Sequence, residues 1–285
     1  MKLPSLSLVM TIHERPGAVI RAVRAGVYAN GTQPNQVVIC FDRSSRETVR
    51  AVYDEWRLAE PDTVELCGPP GWRGPAKAWN AALARVSSEL TMMISSEVAV
   101  SPDSIARMRE FLATRQAVLF GKCTDSSGTQ QVTGFPPGLL CSSEYPRPLG
   151  FVWCVPTWAL RAIGGYDEGY MKGLCYDDDD ISYRLWKLGL PFVFHDGVSG
   201  VHQFHERPGL RTKEGIAKTA INRAYIRAKF SSDGLPEPKE APMNALYHAG
   251  RVAETRKKGI TIWQMRIEDR ARLPGLHVET PHKDR

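Results

Sequence analysis

The sequence lacks several signatures that would fix its class at once. No C-x-x-C pair occurs among the six cysteines, Cys40, Cys67, Cys123, Cys141, Cys154 and Cys175, and this argues against a zinc ribbon or a disulfide framework. Several of them sit in apolar segments, where a thiol packs as a small hydrophobe. No apolar run approaches the roughly 20 residues that cross a bilayer; the longest stretch, Gly150 to Leu160, is interrupted by Pro156. The start, Met1-Lys2-Leu3-Pro4, leads to a short apolar stretch that stops at His13-Glu14-Arg15-Pro16 without a small-residue cleavage pattern. It reads as a first strand and not a signal peptide, so a cytoplasmic location is expected. There is no G-x-G-x-x-G after that strand and no G-x-x-x-x-G-K-[ST] anywhere, which disfavours a dinucleotide-binding enzyme or a P-loop NTPase. No internal repeat is visible.

What is present is ordinary globular material. Of 285 residues, 42% are hydrophobic and 24% charged, enough to build a core and too mixed in period for a coiled coil, a collagen or a disordered regulator. Net charge is +6, but it is unevenly placed. From Phe204 to Arg285 there are 17 Lys+Arg against 10 Asp+Glu, an excess of +7, leaving −1 for the residues before.

Apolar spacing alternates between two periods along the chain. Leu6 to Ile12, Val37 to Phe41, Val64 to Cys67 and Leu90 to Ile94 read as strands. Each is followed by a helical pattern such as Val49, Val52, Tyr53 and Trp56. Strand and helix in alternation imply a largely parallel sheet with helices on both faces. Thr124 to Pro148 reads as a long loop, Phe151 to Val155 and Phe192 to His195 as strands, and Asp177 onward as a helix. Arg211 to Phe230 reads as an amphipathic helix packed through Ile216, Ala220, Ile221, Ala224, Tyr225 and Ala228.

Ligands of open parallel sheets bind at the carboxyl ends of the strands. Thr11 and His13 lie at the end of the first strand, Asp42 follows the second, and Ser95-Ser96-Glu97 follows the fourth. Asp42 suits a hydrogen bond to a ribose or base, and equally the cap of the next helix. The glycine-rich segment Gly68 to Pro75 ends at a helix N-terminus, where backbone N–H groups either face an anion or merely face solvent. Asp177-Asp178-Asp179-Asp180 is the most unusual local feature, because four adjacent carboxylates repel one another and a helix N-terminus offsets only part of that. His202 and His205 form either a surface turn or a metal-ligating pair. Trp153 packs in the core or offers its face to a sugar ring.

Six of these segments stand in an order that resembles the GT-A nucleotide-sugar glycosyltransferases, most closely family 2. They are Thr11 to Pro16, Asp42, Gly74 to Asn80, Ile94 to Val98, Gly164 to Asp167 and Asp177 to Leu185. The later part also resembles the galactosyltransferase C-terminal acidic motif. The resemblance implies a GT-A, Rossmann-like α/β catalytic domain over residues 1–205, with a basic, mostly helical C-terminal extension or lid over residues 206–285. It also implies a metal-dependent inverting transferase moving a sugar from a nucleotide-diphosphate sugar, a UDP-sugar first, to an acceptor hydroxyl.

Residue by residue, the resemblance makes Asp178 the general base, with Asp179 the alternative one position on. Asp177 and Asp179 then orient the acceptor, with Trp153 as a further contact and Asp180 as a structural residue. Thr11, His13, Arg15, Asp42, Arg73, Lys77, Asn80, Ser95 and Ser96 fall on the donor side. Glu97 and His202 would hold Mn²⁺ or Mg²⁺, with His205 competing for His202's place. Ser95 stands where the family's metal motif has its first aspartate, and a hydroxyl cannot replace that charge. The basic helix reads as a solvated face, as a lid whose Arg207, Arg211 or Lys213 meets the donor diphosphate, or as a track for a polyanion. A GT-A core with a basic appendage would suit glycosylation of hydroxymethylated DNA bases, while charge alone equally suits an anionic membrane surface. Outside enzymes, the alternative is a nucleotide- or glycan-binding protein on the same fold.

Overall fold

A computed structural model describes residues 2–25, 33–56, 64–67, 74–129, 135–147, 151–205, 212–234 and 252–265. The first half follows the alternation of the sequence: β1 (Leu6–Ile12), α1 (Pro16–Val23), β2 (Gln36–Phe41), α2 (Arg46–Trp56), β3 (Val64–Cys67), α3 (Pro75–Leu83) and β4 (Leu90–Ile94). β1 pairs in parallel with β2 and β4, and β2 in parallel with β3. Every residue of β2 and of β4 is buried, as strands covered on both faces require. Leu6, Leu8, Met10 and Ile12 are fully buried along β1. At about 1.5–3 kcal/mol for each such side chain, this strand anchors the sheet.

The second half is more mixed. It comprises β5 (Val98–Val100), α4 (Ser104–Leu112), β6 (Val118–Asp125), β7 (Leu139–Cys141), β8 (Val152–Pro156) and α5 (Thr157–Ala162). A 3-10 turn (Glu168–Lys172), α6 (Asp177–Lys187), β9 (Phe192–His202), α7 (Lys213–Ser232), β10 (Val252–Lys257) and β11 (Ile260–Met265) complete it. One sheet runs β10-β11-β9-β6-β8-β4-β1-β2-β3, with β5 attached to β9 and β7 to β6. β6 and β9 are parallel; β8 is antiparallel to β4 and β6.

Four features depart from the sequence reading. Asp125 extends β6 into what reads as loop, and β7 lies inside the same stretch. β9 continues to His202 instead of ending at His195. Its polar and glycine residues conceal it from any search for apolar runs, and β6 follows it by shifting register between Phe120 and Lys122. There the two backbones nearly touch: a Cβ on Gly121 would collide with the Val198 carbonyl oxygen.

The extension is not simply helical. β10 and β11 form a hairpin through Lys258 (φ 45°) and Gly259 (φ 75°), and β11 joins β9 to continue the central sheet. α7 turns the opposite face to the one expected. Ile216 and Ile221 are 61% and 49% exposed, while Gly215, Asn222, Ile226 and Phe230 are buried. Asn222 causes this, because its amide donates to the carbonyls of Tyr170 and Cys175, and a buried amide is stable only when so paired.

Candidate active site

Parallel pairing brings the ends of β1, β2 and β4 to one edge, and a cleft of about 300 Å³ opens there. Thr11, His13, Asp42, Ser95, Ser96 and Glu97 line it, with Pro75 and Trp79 of α3, and Asp178 reaches it from α6. Asp42 is buried; its Oδ1 accepts the Gly74 N–H at 3.1 Å, and its carbonyl is 2.7 Å from His13 Nδ1. Gly74 adopts φ 77°, a conformation favouring glycine, and Pro75 then starts α3.

Glu97 is held from several sides. Ser95 Oγ donates to Oε2 at 2.6 Å and Arg15 Nη1 to Oε1 at 2.7 Å. Burial opposes its ionised form, yet the Ser95 bond, the Arg15 charge and the two nearby histidines together hold its carboxyl below the ordinary range. The Ser95 hydroxyl therefore fixes the carboxylate without adding a charge.

His202 reaches Glu97 through strand register. β5 runs antiparallel to β9 with Val98 opposite His202, and the Gln203 N–H donates to the Glu97 carbonyl at 2.9 Å. His205 follows one turn of chain later, and ligand atoms of Glu97, His202 and His205 all lie within 4.8 Å of one another. One carboxylate oxygen and two imidazole nitrogens are a donor set that suits Mn²⁺, and Mg²⁺ less well. Both histidines thus stand beside Glu97, so the sequence alternative between them becomes a pair. Sequence reasoning missed Asp125, which ends β6 opposite His202 and places Oδ2 3.4 Å from its Nδ1. A carboxylate behind a ligating imidazole orients the ring. Its signal was hidden because β6 seemed to end earlier.

Across the cleft, the four aspartates open α6 in unlike surroundings. Asp180 is fully buried and bound by Arg184 Nε at 2.6 Å, Lys229 Nζ at 2.6 Å and Tyr170 Oη at 3.2 Å. Asp178 is half-buried and accepts from Tyr166 Oη at 3.3 Å. Tyr166 in turn stacks on Trp79, with centroids 5.8 Å apart. Burial and the charge of Asp179 push Asp178 up to about 6, against the opposing pull of Arg147 and the Tyr166 bond. Burial likewise raises Asp177 and Asp179 to about 7. Arg147 faces this group and was not singled out in the sequence.

Other expected contacts fall elsewhere. Asn80 uses both ends of its amide on the Gly165-Tyr166 turn, donating to the Tyr166 carbonyl and accepting the Tyr166 N–H at 2.8 Å. A Cβ at Gly165 would lie 2.5 Å from its Oδ1. It braces the site from behind instead of lining the cleft. Lys77 is exposed on α3, away from the cleft wall. Trp153 is 1% exposed in β8 between β4 and β6, so its ring belongs to the core in this structure. Asp179 is buried and Asp177 half-buried, and of the four it is Asp178 that lines the cleft. Arg73, Arg207 and Arg211 lie outside the described residues, and Lys213 is exposed at the start of α7.

This fold is shared with solved structures of glycosyltransferases. GalNAc-T7 with UDP, GalNAc and Mn²⁺ superposes with a TM-score of 0.59 at 14% identity, over 79% of this chain and 48% of that one. The mannosyltransferase PcManGT from Pyrobaculum calidifontis, with GDP-Man and Mn²⁺, gives 0.58 at 15%, over 88% and 70%. S. aureus TarS 1-349 with UDP-GlcNAc gives 0.56 at 14%, over 80% and 73%. At such identities the likeness is one of fold, and the chain spans about half the length of GalNAc-T7. Residues 7–140 match the family model of glycosyl transferase family 2, and the likeness spans just under half of the chain. No curated protein sequence matches. Among the described residues, no helix is long and apolar enough to cross a membrane.

Proposed function

We propose that the protein is a metal-dependent, inverting glycosyltransferase that takes a sugar from a nucleoside-diphosphate sugar, in the first instance a UDP-sugar, to an acceptor hydroxyl. The observation that carries this reading is the convergence of Thr11, His13, Asp42, Ser95, Ser96, Glu97 and Asp178 on one cleft. Asp42 receives donor hydroxyl or base N–H groups, with its carboxylate oriented by Gly74. Glu97, His202 and His205 would hold a divalent cation, Mn²⁺ before Mg²⁺, which would supply positive charge against that of the departing diphosphate. Three structural neighbours support the donor, one bound to UDP, one to UDP-GlcNAc and one to GDP-Man.

Asp178 accepts the acceptor's hydroxyl proton as that oxygen attacks the anomeric carbon from the side opposite the nucleotide. The new C–O bond forms as the bond to the diphosphate breaks, and configuration inverts. A carboxylate raised to about 6 is a stronger base than an ordinary one and is still mostly ionised at pH 7. Asp180 and Lys229 fasten α7 behind the acidic turn, so the extension acts as a buttress to a catalytic domain over 1–205. A glycan or small-molecule hydroxyl is the favoured acceptor, because Lys229 is engaged with Asp167 and Asp180 and Lys218 with Glu214. Six free cysteines suit the reducing cytoplasm.

The test is release of nucleoside diphosphate from a panel of nucleotide sugars, followed by chromatography, with Mn²⁺ present and absent. Metal-dependent release from one donor, abolished by Asp178→Asn, is the expected outcome. Release that Asp178→Asn leaves unchanged would remove the base assignment.

A further inference from the structure

Glu97 meets its candidate ligand partners already paired. Ser95 occupies one carboxylate oxygen and the Arg15 guanidinium the other, at 2.6 and 2.7 Å. A carboxylate only 9% exposed needs such a counter-charge whenever no cation is near, since an unpaired buried charge is costly. Arg15 itself is 41% exposed, so its guanidinium can leave for water at little cost. Its backbone is unusual as well. Arg15 sits at φ 72°, ψ 62° as the residue before α1, a left-handed conformation uncommon for a residue with a side chain. Pro16 follows it, and the Arg15 carbonyl accepts the N–H groups of Ala18 and Val19. The fold thus maintains a strained residue whose side chain is aimed at the Ser95–Glu97 turn; such strain persists only where the surroundings enforce it.

Cation and guanidinium therefore compete for one oxygen. We propose that Arg15 is a counter-ion latch: it pairs with Glu97 until a divalent cation takes the carboxylate, and the released guanidinium then pairs with the diphosphate of the nucleotide. This rests on the reading of the cleft as a metal and nucleotide site. It adds that the two ligands bind with positive coupling, transmitted through Arg15. A guanidinium suits the second partner because its planar fork matches phosphate oxygens two at a time. Reciprocity then requires the nucleotide to tighten the cation by the same factor as the cation tightens the nucleotide.

The test measures Mn²⁺ binding by the electron paramagnetic resonance of free Mn²⁺, with and without UDP, in the wild type and in Arg15→Gln. His202→Ala serves as the control that locates the ion. The latch predicts that Arg15→Gln binds Mn²⁺ alone about 10-fold more tightly, while UDP binds more weakly in saturating Mn²⁺. The mutual enhancement falls accordingly, within the range of about 5–150-fold usual for coupled sites. The tightening should survive 1 M salt, where the Debye length shrinks from about 10 Å to about 3 Å, because displacement of a contact pair is not a long-range effect. Unchanged or weaker Mn²⁺ affinity in Arg15→Gln, or a gain that vanishes in high salt, would overturn the latch. Coupling that persists unaltered in Arg15→Gln sinks the latch alone. Failure of the wild type itself to bind Mn²⁺ and UDP sinks the reading of the cleft beneath it.

Discussion

Glu97 and Asp178 line the same cleft, yet their surroundings move their ionisation in opposite directions. Glu97 lies at the end of the parallel half of the sheet, where a serine hydroxyl and an arginine hold the carboxyl below its ordinary range despite burial. Asp178 lies at the start of α6, where burial and a neighbouring aspartate raise it to about 6. Carboxylates pushed apart in this way take different roles: one remains an anion for a cation to bind, the other exchanges a proton near neutral pH. The contrast extends to their supports. The Glu97 side is built from strand register and backbone hydrogen bonds, the Asp178 side from side-chain bonds around Asp180, Lys229 and Arg184.

Removing one carboxylate at a time breaks the comparison. Asp178→Asn should lower kcat by about 10²–10⁴, the range of general-base catalysis, and leave Mn²⁺ and nucleotide affinity unchanged; steady-state kinetics beside calorimetry would show both. On the other side, Asp125→Asn loosens the orientation of His202 and should weaken Mn²⁺ binding by about 10–100-fold. Equilibrium titration of Mn²⁺ reads that loss without any turnover.

A pH profile sharpens the contrast further. The base must be ionised, so kcat should rise through about pH 6 and level off above it. Tyr166→Phe removes a hydrogen bond that favours the ionised form, so the limb should move to higher pH, by a fraction of a unit. The smallest effect concerns stability. Asp179 has a folded value near 7 against an ordinary 3.8, so the folded state binds more protons between those values and stability falls as pH rises across them. Asp179→Asn should then raise Tm by about 2–4 °C at pH 8 and leave it unchanged at pH 4, as calorimetric scans at the two pH values would show.

Much of this arrangement is legible from residues alone. Apolar strand runs and the carboxyl-end rule bring Thr11, His13, Asp42 and Glu97 to one edge without coordinates, because parallel strands put their ends together. The less legible parts depend on contacts distant in sequence. Asn80 resembles a donor contact on its helix, but its amide is fixed by a turn 86 residues later. The buried face of α7 is set by Asn222, a polar residue that hydrophobic periodicity assigns to solvent. Asp125 becomes visible only when the register of β6 and β9 sets it against His202. The hairpin did leave a trace, since a Lys-Gly pair between alternating residues is a two-residue turn with both φ positive.

The most direct measurement of the central claim is calorimetric titration of UDP, GDP, CDP and ADP into the metal-free protein, each with and without Mn²⁺, and again in Glu97→Gln. One nucleotide should bind, Mn²⁺ should tighten it, and Glu97→Gln should remove the tightening. Absence of binding by all four nucleotides in both conditions would contradict that claim, leaving a shared fold whose cleft serves another purpose.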